Sequence, residues 1–463
     1  MPSIEARRSA NGKVTSYRIT VSDGTDHKGN PIRHRILWTP PKKGMTEKQM
    51  EKEAFIAAAK YEEQIKMGYY IDNNRTFCDY AQYVMELKER TGVKTSTIDR
   101  YLEMLPRIYD AIGHLKLCQI RPQHLNDFYQ QLGQMGMRAD AQRAVPKRIF
   151  AKRFYALNVS QAELSKQAGI GYQTLNTALK GNTIRVDKAT AISEAMGMPF
   201  SALFDVKENL KPLSPKTVRE HHRLISTILA QAEKEMLIPY NPAHKATPPK
   251  VERSVPEYYQ PEEMDEILEA LEKAPIRWKA ISYLLIDTGC RRGEALGLKW
   301  DKIDLETGLI VIDRSLLYSP SRGIYEGNTK TNDVRAMILA PQTLEVLKAW
   351  KEEYEEWKAI NGDRWKNSPY VFVREDGSPM HPDGITDWLA KFSKEHVLPH
   401  LHPHAFRHTA ASTMIMNGVD VVTAAAEMGH ASPTTTANIY AHQFAIARAK
   451  AASVRGGVFS KRK

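Results

Sequence analysis

The spacing of apolar and polar residues changes period several times along the chain, and each change predicts an element. Near the start, Tyr17 to Ser22 (YRITVS) and Arg33 to Trp38 (RHRILW) are rich in strand formers, with Lys28-Gly29-Asn30-Pro31 as the turn cluster between them. A helix is predicted next: Thr46 with Gln49 three residues on makes a capping box, and Gly68 is its stop. From about residue 73 the period is helical. Thr95 can cap a helix running to Gly113, and Ser214-Pro215 opens another with proline at its first position. That later helix carries an apolar stripe of Val218, Leu224, Ile225, Ile228 and Leu229. His221, His222 and Arg223 are then expected on its polar face and not as metal ligands.

A distinct segment, about 148–206, interrupts this helical block. Ser160 is placed to cap a short helix, Ala168-Gly169-Ile170 makes a tight turn, and Tyr172 to Leu179 form a second helix ended by Gly181. The run SQAELSKQAGIGYQTLNTALKGN and the trailing MGMPFSALF resemble the helix-turn-helix of the lambda-repressor-like (Cro/C1) family over some 50 residues. The resemblance implies that the second helix lies in a major groove, with Gln173, Thr174, Asn176 and Thr177 as candidate base readers. The alternative is a helical packing module that bridges protein to protein.

Composition narrows the function classes. The chain has 463 residues, enough for two to four domains. Its 66 Lys and Arg against 54 Asp and Glu leave a formal charge of +12, which favours a polyanionic partner, nucleic acid first. The basic excess is dense in the N-terminal strands, where Arg18, Arg33 and Arg35 are candidate DNA contacts; a solvated basic face is the bland alternative. Three cysteines, Cys78, Cys118 and Cys290, have no paired spacing, so neither a disulfide framework nor a cysteine-rich zinc site is expected. The opening MPSIEARRSANGK lacks the apolar core of a signal peptide, and the longest apolar stretches fall far short of the roughly 20 residues of a membrane span.

Past the proline-rich hinge at 246–261, four pieces carry chemistry. In DTGCRRGEALGLKW, Arg291 follows a glycine turn and shares a helix face with Glu294, a carboxylate able to preset the guanidinium as a phosphate clamp. GLIVIDRS and EGNTKTNDVRAMILAP read as paired strands, which puts Lys330 on or beside the turn between them. In HPHAFRHTAAS, His404 and Arg407 face the same way on a helix. A metal held by His402, His404 and His408 is not expected there, because no outside carboxylate or cysteine is obvious and Arg407 would oppose a cation. In EMGHASPTTTANIYAH, His430 sits at a glycine turn and Tyr440 follows ten residues later.

Taken singly, each piece reads as structural. Their succession (TGxRxGE, TKT before a strand, HxxRHT, GH, then Tyr) resembles the tyrosine recombinase, or phage integrase, family over about 200 residues. The N-terminal strands resemble that family's arm-site-binding domain, and LSPKTVREHHRLISTILAQAEKEMLIPYNP the last helices of its core-binding domain. The implied fold is multidomain and mainly α with small β-sheets. It has a three-stranded sheet plus helix over 1–72, a helical core-binding domain over 73–250 interrupted by the 148–206 helix-turn-helix, and a mixed α/β, mostly α, catalytic domain over 251–463. The insertion departs from the family pattern.

The resemblance implies an integrase of a phage or integrative element that cuts and rejoins DNA through a 3′-phosphotyrosyl link, without ATP, cofactor or metal. Tyr440 would be the nucleophile. Arg291, Arg407 and His430 would stabilise the transition state, His404 would take the phenol proton, Lys330 would protonate the leaving oxygen, and Glu294 would support them. Implied partners are double-stranded attachment sites, further copies of the chain in a tetramer joined by the C-terminal run around Phe444 and Ile446, and an excision factor. The expected location is the bacterial cytoplasm, at the nucleoid. Two other readings stand: a helix-turn-helix transcriptional regulator, and a type IB topoisomerase-like nicking-closing enzyme.

Overall fold

In the computed structural model, residues 2–429 are described apart from 11, 26–27, 43, 67–74, 136–140, 209–210, 253–256 and 330–333, together with 432 and 434. The chain divides into two units, Met1–Glu252 and Arg253–Lys463.

The first unit opens with an antiparallel sheet, β1 (Ser3–Arg8), β2 (Val14–Thr25) and β3 (Pro31–Trp38), in the order β1-β2-β3. Strand alternation sends Ile19, Val21, Ile36 and Trp38 to one face, where α1 (Glu47–Lys66) covers them with Ala54, Ala58 and Ile65. The capping box forms: Gln49 Oε1 accepts the Thr46 amide at 3.0 Å, and Thr46 Oγ1 accepts the Gln49 amide at 3.4 Å. Gly68 lies outside the described residues.

Next come α2 (Phe77–Arg90), α3 (Thr95–Ile108) and α4 (Pro122–Leu132). Lys94, and not Thr95, occupies the cap position of α3, and Thr95 is already helical. Pro106 lies inside this helix, which runs on as a π-turn through Tyr109–Gly113. The chain then leaves this core and returns to it. Strand β4 (Gln142–Pro146), helices α5 (Ile149–Ala156), α6 (Gln161–Gln167) and α7 (Tyr172–Leu179), β5 (Ile184–Arg185), α8 (Val186–Ala195), α9 (Phe200–Leu203) and β6 (Phe204–Glu208) pack around their own apolar cluster of Phe150, Phe154, Leu164, Leu175, Ile192 and Phe204. The antiparallel β4–β6 pair places Gln142 opposite Glu208, so the module enters and leaves at one point. These strands extend the segment beyond the 148–206 read from the sequence.

After the module, α10 (Pro215–Lys234) rejoins α2, α3 and α4 in a single core containing Phe77, Leu105, Phe128, Leu224, Ile225 and Leu229. One expectation fails here. His221 is buried at 1% exposure and packs edge-on to Phe128, with its Nδ1 2.9 Å from Thr217 O. The reason is spacing: 221 lies three residues after Val218 and four before Ile225, inside the buried stripe and not opposite it. His222 is half-buried, with Nδ1 2.8 Å from Tyr129 Oη, and only Arg223 is exposed.

The second unit contains α11 (Pro261–Glu272), α12 (Ile276–Thr288), α13 (Arg292–Gly297), β7 (Leu309–Ile312), β8 (Arg314–Ser319), β9 (Gly323–Asn328), β10 (Arg335–Ile338), α14 (Pro341–Asn361), α15 (Gly384–Glu395), α16 (Pro403–Met416) and α17 (Val421–Glu427). The apolar helix α12 is packed between α14 and α16 in a core that includes Leu284, Leu285, Trp350, Phe372 and Phe406. The expected strand pair exists as β7 with β10, but a second hairpin, β8–β9, stands between them. Lys330, expected on or beside the turn between the paired strands, lies outside the described residues. Among the described residues no helix is long and apolar enough to cross a membrane.

Candidate active site

Helix α12 ends at Gly289, whose φ of 58° is left-handed and whose missing Cβ leaves room for Met428 and Ala410. The reversal delivers Arg291 to the cap position of the short α13. Glu294, one turn on and 1% exposed, uses both oxygens locally: Oε2 accepts the Arg291 amide at 2.9 Å and Oε1 accepts Arg291 Nη1 at 2.8 Å. The expected carboxylate-held arginine is thus present. The bond from Arg291 Nη2 to Gly429 O at 3.0 Å ties it to the turn after α17.

Arg407 comes from α16. Tyr259, at the end of the sequence's presumed hinge, anchors the start of this helix instead of linking freely. Its amide donates to Thr409 Oγ1 at 2.9 Å, its hydroxyl donates to His400 O at 2.9 Å, and that hydroxyl accepts the His402 amide at 3.2 Å. His402 caps the helix, its Nδ1 accepting the Ala405 amide. Arg407, 4% exposed, points inward and donates to Gly289 O at 2.8 Å and to Met428 O. Two guanidinium groups thus converge on the two glycine turns, at 289 and 429. A guanidinium has five N–H donors, so each arginine is held by the protein with donors to spare for an anion.

Electrostatics fit an anionic guest. Burial first, and then the charge of Arg291, lower the Arg407 pKa to about 10, which still leaves it charged at neutral pH. Burial would raise the Glu294 pKa, but Arg335 and the hydrogen bonds from Arg291 outweigh it and hold the carboxyl below its ordinary value. For His404, burial, then Arg407, His402 and Arg291 lower the pKa below 6.5, so the ring is neutral at pH 7 and able to accept a proton. His408 stacks near His404, at a ring separation of 6.1 Å, and its pKa is lowered to about 4 by burial, then by His404 and Arg407.

Of the expected catalytic set, the structure brings together Arg291, Glu294, His404 and Arg407. Lys330, His430 and Tyr440 lie outside the described residues, as do Phe444 and Ile446. A carboxylate does stand beside the histidine run: Glu257 Oε2 is 3.3 Å from His402 Nε2, and Glu257, His400 and His402 form a cluster at ligand spacing. Because His402 Nδ1 already accepts a backbone amide, its proton belongs on Nε2, directed at Glu257, which makes that nitrogen a hydrogen-bond donor and not a metal ligand. Arg335, which the sequence reading missed, donates to Glu294 Oε2 at 2.5 Å.

The candidate DNA contacts divide between two places in the first unit. Register pairs Ser22 with Arg33, Thr20 with Arg35 and Arg18 with Leu37, so Arg18, Arg33 and Arg35 share the sheet face away from α1. In the inserted module, Ser160 Oγ accepts the Glu163 amide and Gly169 turns the chain at φ 60°. In α7, Leu175 and Ala178 are buried while Tyr172 and Gln173 are exposed. Thr177 donates its hydroxyl to Gln173 O at 2.7 Å, so that group is engaged within its own helix; Tyr172, not anticipated, takes an outward position.

Residues 257–445 match the family described as the phage integrase family. The chain is 26% identical over 232 residues to the ICEBs1 integrase of Bacillus subtilis, covering 50% of this chain and 63% of the relative. It is 29% identical over 249 residues to a tyrosine recombinase XerC-like protein of Caldanaerobacter subterraneus, again covering 50% and 63%. The match thus spans somewhat less than two thirds of these relatives' length. Among solved structures, the Tn1549 transposon integrase in complex with a circular intermediate DNA aligns with a TM-score of 0.54 at 17% identity, covering 82% of this chain and 99% of that one. The fold is shared with that structure, and the C-terminal unit is similar, over residues 257–445, to the phage integrase family.

Proposed function

We propose that the protein is a site-specific DNA recombinase, the integrase of a phage or integrative mobile element. The observation that carries this is the convergence of Arg291 and Arg407, each braced by backbone carbonyls, with a neutral His404 on the same helix as Arg407. Such a pair suits a phosphodiester whose nonbridging oxygens gain charge as a fifth ligand approaches phosphorus. The named relatives, an integrase and a XerC-like recombinase, support the same reading.

In this reading the Tyr440 hydroxyl attacks the scissile phosphate. An O–P bond forms to tyrosine and the bond from phosphorus to the 5′-oxygen breaks. The phenol proton passes to His404, and Lys330 protonates the departing oxygen; an unassisted phenol, with pKa near 10, is a poor nucleophile at pH 7. The reverse step, by the 5′-hydroxyl of another strand, restores the diester, so no ATP is consumed. His430 adds a hydrogen bond to a nonbridging oxygen, and the arginines and lysine supply the charge that metals supply elsewhere.

The partners in this reading are double-stranded attachment sites, other copies of the chain in a synaptic tetramer, and a directionality factor for excision. Residues 1–72 bind arm-type sites through the Arg18, Arg33 and Arg35 face. The helical segments within 73–250 grip the core site, with the inserted module as a further reading head. The setting is a bacterial cytoplasm. The regulator and nicking-closing readings leave, respectively, the arginine pair and the basic sheet unexplained.

The test is a nicked duplex carrying the element's end sequence, resolved on a denaturing gel. Wild-type protein is expected to leave a covalent protein–DNA adduct that is absent with Tyr440→Phe; an adduct that survives this substitution, or none with wild type, contradicts the assignment.

A further inference from the structure

Arg335 opens β10, and its side chain is 9% exposed. It reaches Glu294 with Nη2, 2.5 Å from Oε2, the oxygen that also accepts the Arg291 amide. Its Nε and Nη1 are buried with no hydrogen-bond partner among the described residues. Nη1 lies where a Cβ on residue 429 would fall, so any side chain there would have to displace the guanidinium. A buried cation spending one strong bond and leaving two donors unmatched is costly, and such an arrangement calls for an explanation.

The geometry points to Arg335 as a positioning residue for the cleavage step, acting through Glu294 and the Gly429 turn. This inference rests on the recombinase reading. Glu294 is shared between two arginines: Oε1 on Arg291 Nη1, Oε2 on Arg335. With Arg335 in place the carboxylate cannot rotate away from Arg291 without losing its second partner. Arg291 in turn bonds Gly429 O, and Arg335 fills the space beneath that glycine. Arg335 therefore closes a loop of contacts, Arg335–Glu294–Arg291–Gly429, that fixes where the Arg291 fork points and seats the turn immediately before His430. The charged groups facing Glu294 are Arg291 and Arg335 directly and Arg407 beyond them; the Cys290 thiol, its pKa raised by burial to about 11, stays neutral beside them. Among the described residues, the hydrogen bonds to the Glu294 carboxylate come from Arg291 and Arg335.

The test compares Arg335→Gln, Arg335→Lys, Glu294→Gln and the Glu294→Gln/Arg335→Gln pair in the full chain. Three quantities are read: affinity for the nicked element-end duplex, the adduct-forming rate at saturating DNA, and the melting temperature. A misplaced clamp costs on the order of 100-fold in rate. The expected result is a drop of that order for Arg335→Gln with affinity within about twofold, partial recovery in Arg335→Lys, which keeps the charge but not the fork, and a double variant no slower than Glu294→Gln alone. If Arg335→Gln does not fold, Arg335→Lys and its own pair with Glu294→Gln decide by the same comparison. Wild-type cleavage rates in the variants, or losses that multiply with Glu294→Gln and track melting temperature, overturn the inference. A wild-type chain that forms no adduct removes the recombinase reading, and this inference with it; a wild-type adduct with unaffected variants removes this inference alone.

Discussion

Val397 shows how much a single residue's backbone can oppose its surroundings. It follows α15 with φ 57° while its side chain is 91% exposed, so a β-branched residue holds a left-handed conformation without burial to offset the cost. That conformation costs an L-residue roughly 1–2 kcal/mol, and glycine returns part of the gain as unfolded-state entropy. Val397→Gly is therefore expected to stabilise the second unit by about 0.5–1 kcal/mol, read as a melting-temperature rise of about 2 °C. An unchanged or lower melting temperature would show that the strain is not real. Glu294 is the opposite case, a buried charge whose every oxygen is engaged.

At the scale of elements, α16 and the N-terminal sheet make the sharpest predictions. Helix α16 carries His404 and His408, both with pKa values lowered by burial, His408 to about 4. Between an unfolded value near 6.5 and the lowered folded values, the unfolded chain binds more protons. Stability must then fall as pH drops from about 6.5 toward about 4. Denaturant titrations across that range check the sign; flat stability would place these rings in water. Cleavage should likewise hold at pH 7 and fall below the ordinary histidine value, since a protonated His404 cannot take the phenol proton. On the sheet, Arg33→Ala with Arg35→Ala should weaken binding to all duplexes alike and reduce the salt slope by about 2, since each phosphate contact contributes about 0.9. An unchanged slope would return that face to plain solvation.

The elements also show what the sequence made legible. Arg291 with Glu294 and His404 with Arg407 are pairs three residues apart, so helical spacing alone put each pair on one face. Arg335 meets Glu294 across 41 residues and Tyr259 meets Thr409 across 150, and no local period encodes such contacts. The β8–β9 hairpin was missed because GIYEGN opens on glycine and carries another near its end, which masks alternation. His221 was misplaced because a polar residue type was weighed above its position in the stripe.

For the whole molecule, the paired ends of the inserted module matter most. Gln142 and Glu208 are opposite one another, the module has its own apolar cluster, and α2, α3, α4 and α10 form a core without it. Elements whose ends meet are the ones chains accept as insertions. Replacing residues 143–207 by a short glycine linker should leave that helical core folded and the nicked-duplex cleavage intact, with affinity for the element's own site as the property that changes. Collapse of the helical signal beyond the share lost with the module would contradict separate folding.

The most direct measurement is to digest the trapped protein–DNA adduct with nuclease and trypsin and locate the modified peptide by mass spectrometry. The expected product is a residual nucleotide on the Tyr440 oxygen, linked through its 3′-phosphate. A nucleotide on any other residue, or a 5′-phosphate linkage, would contradict the assignment.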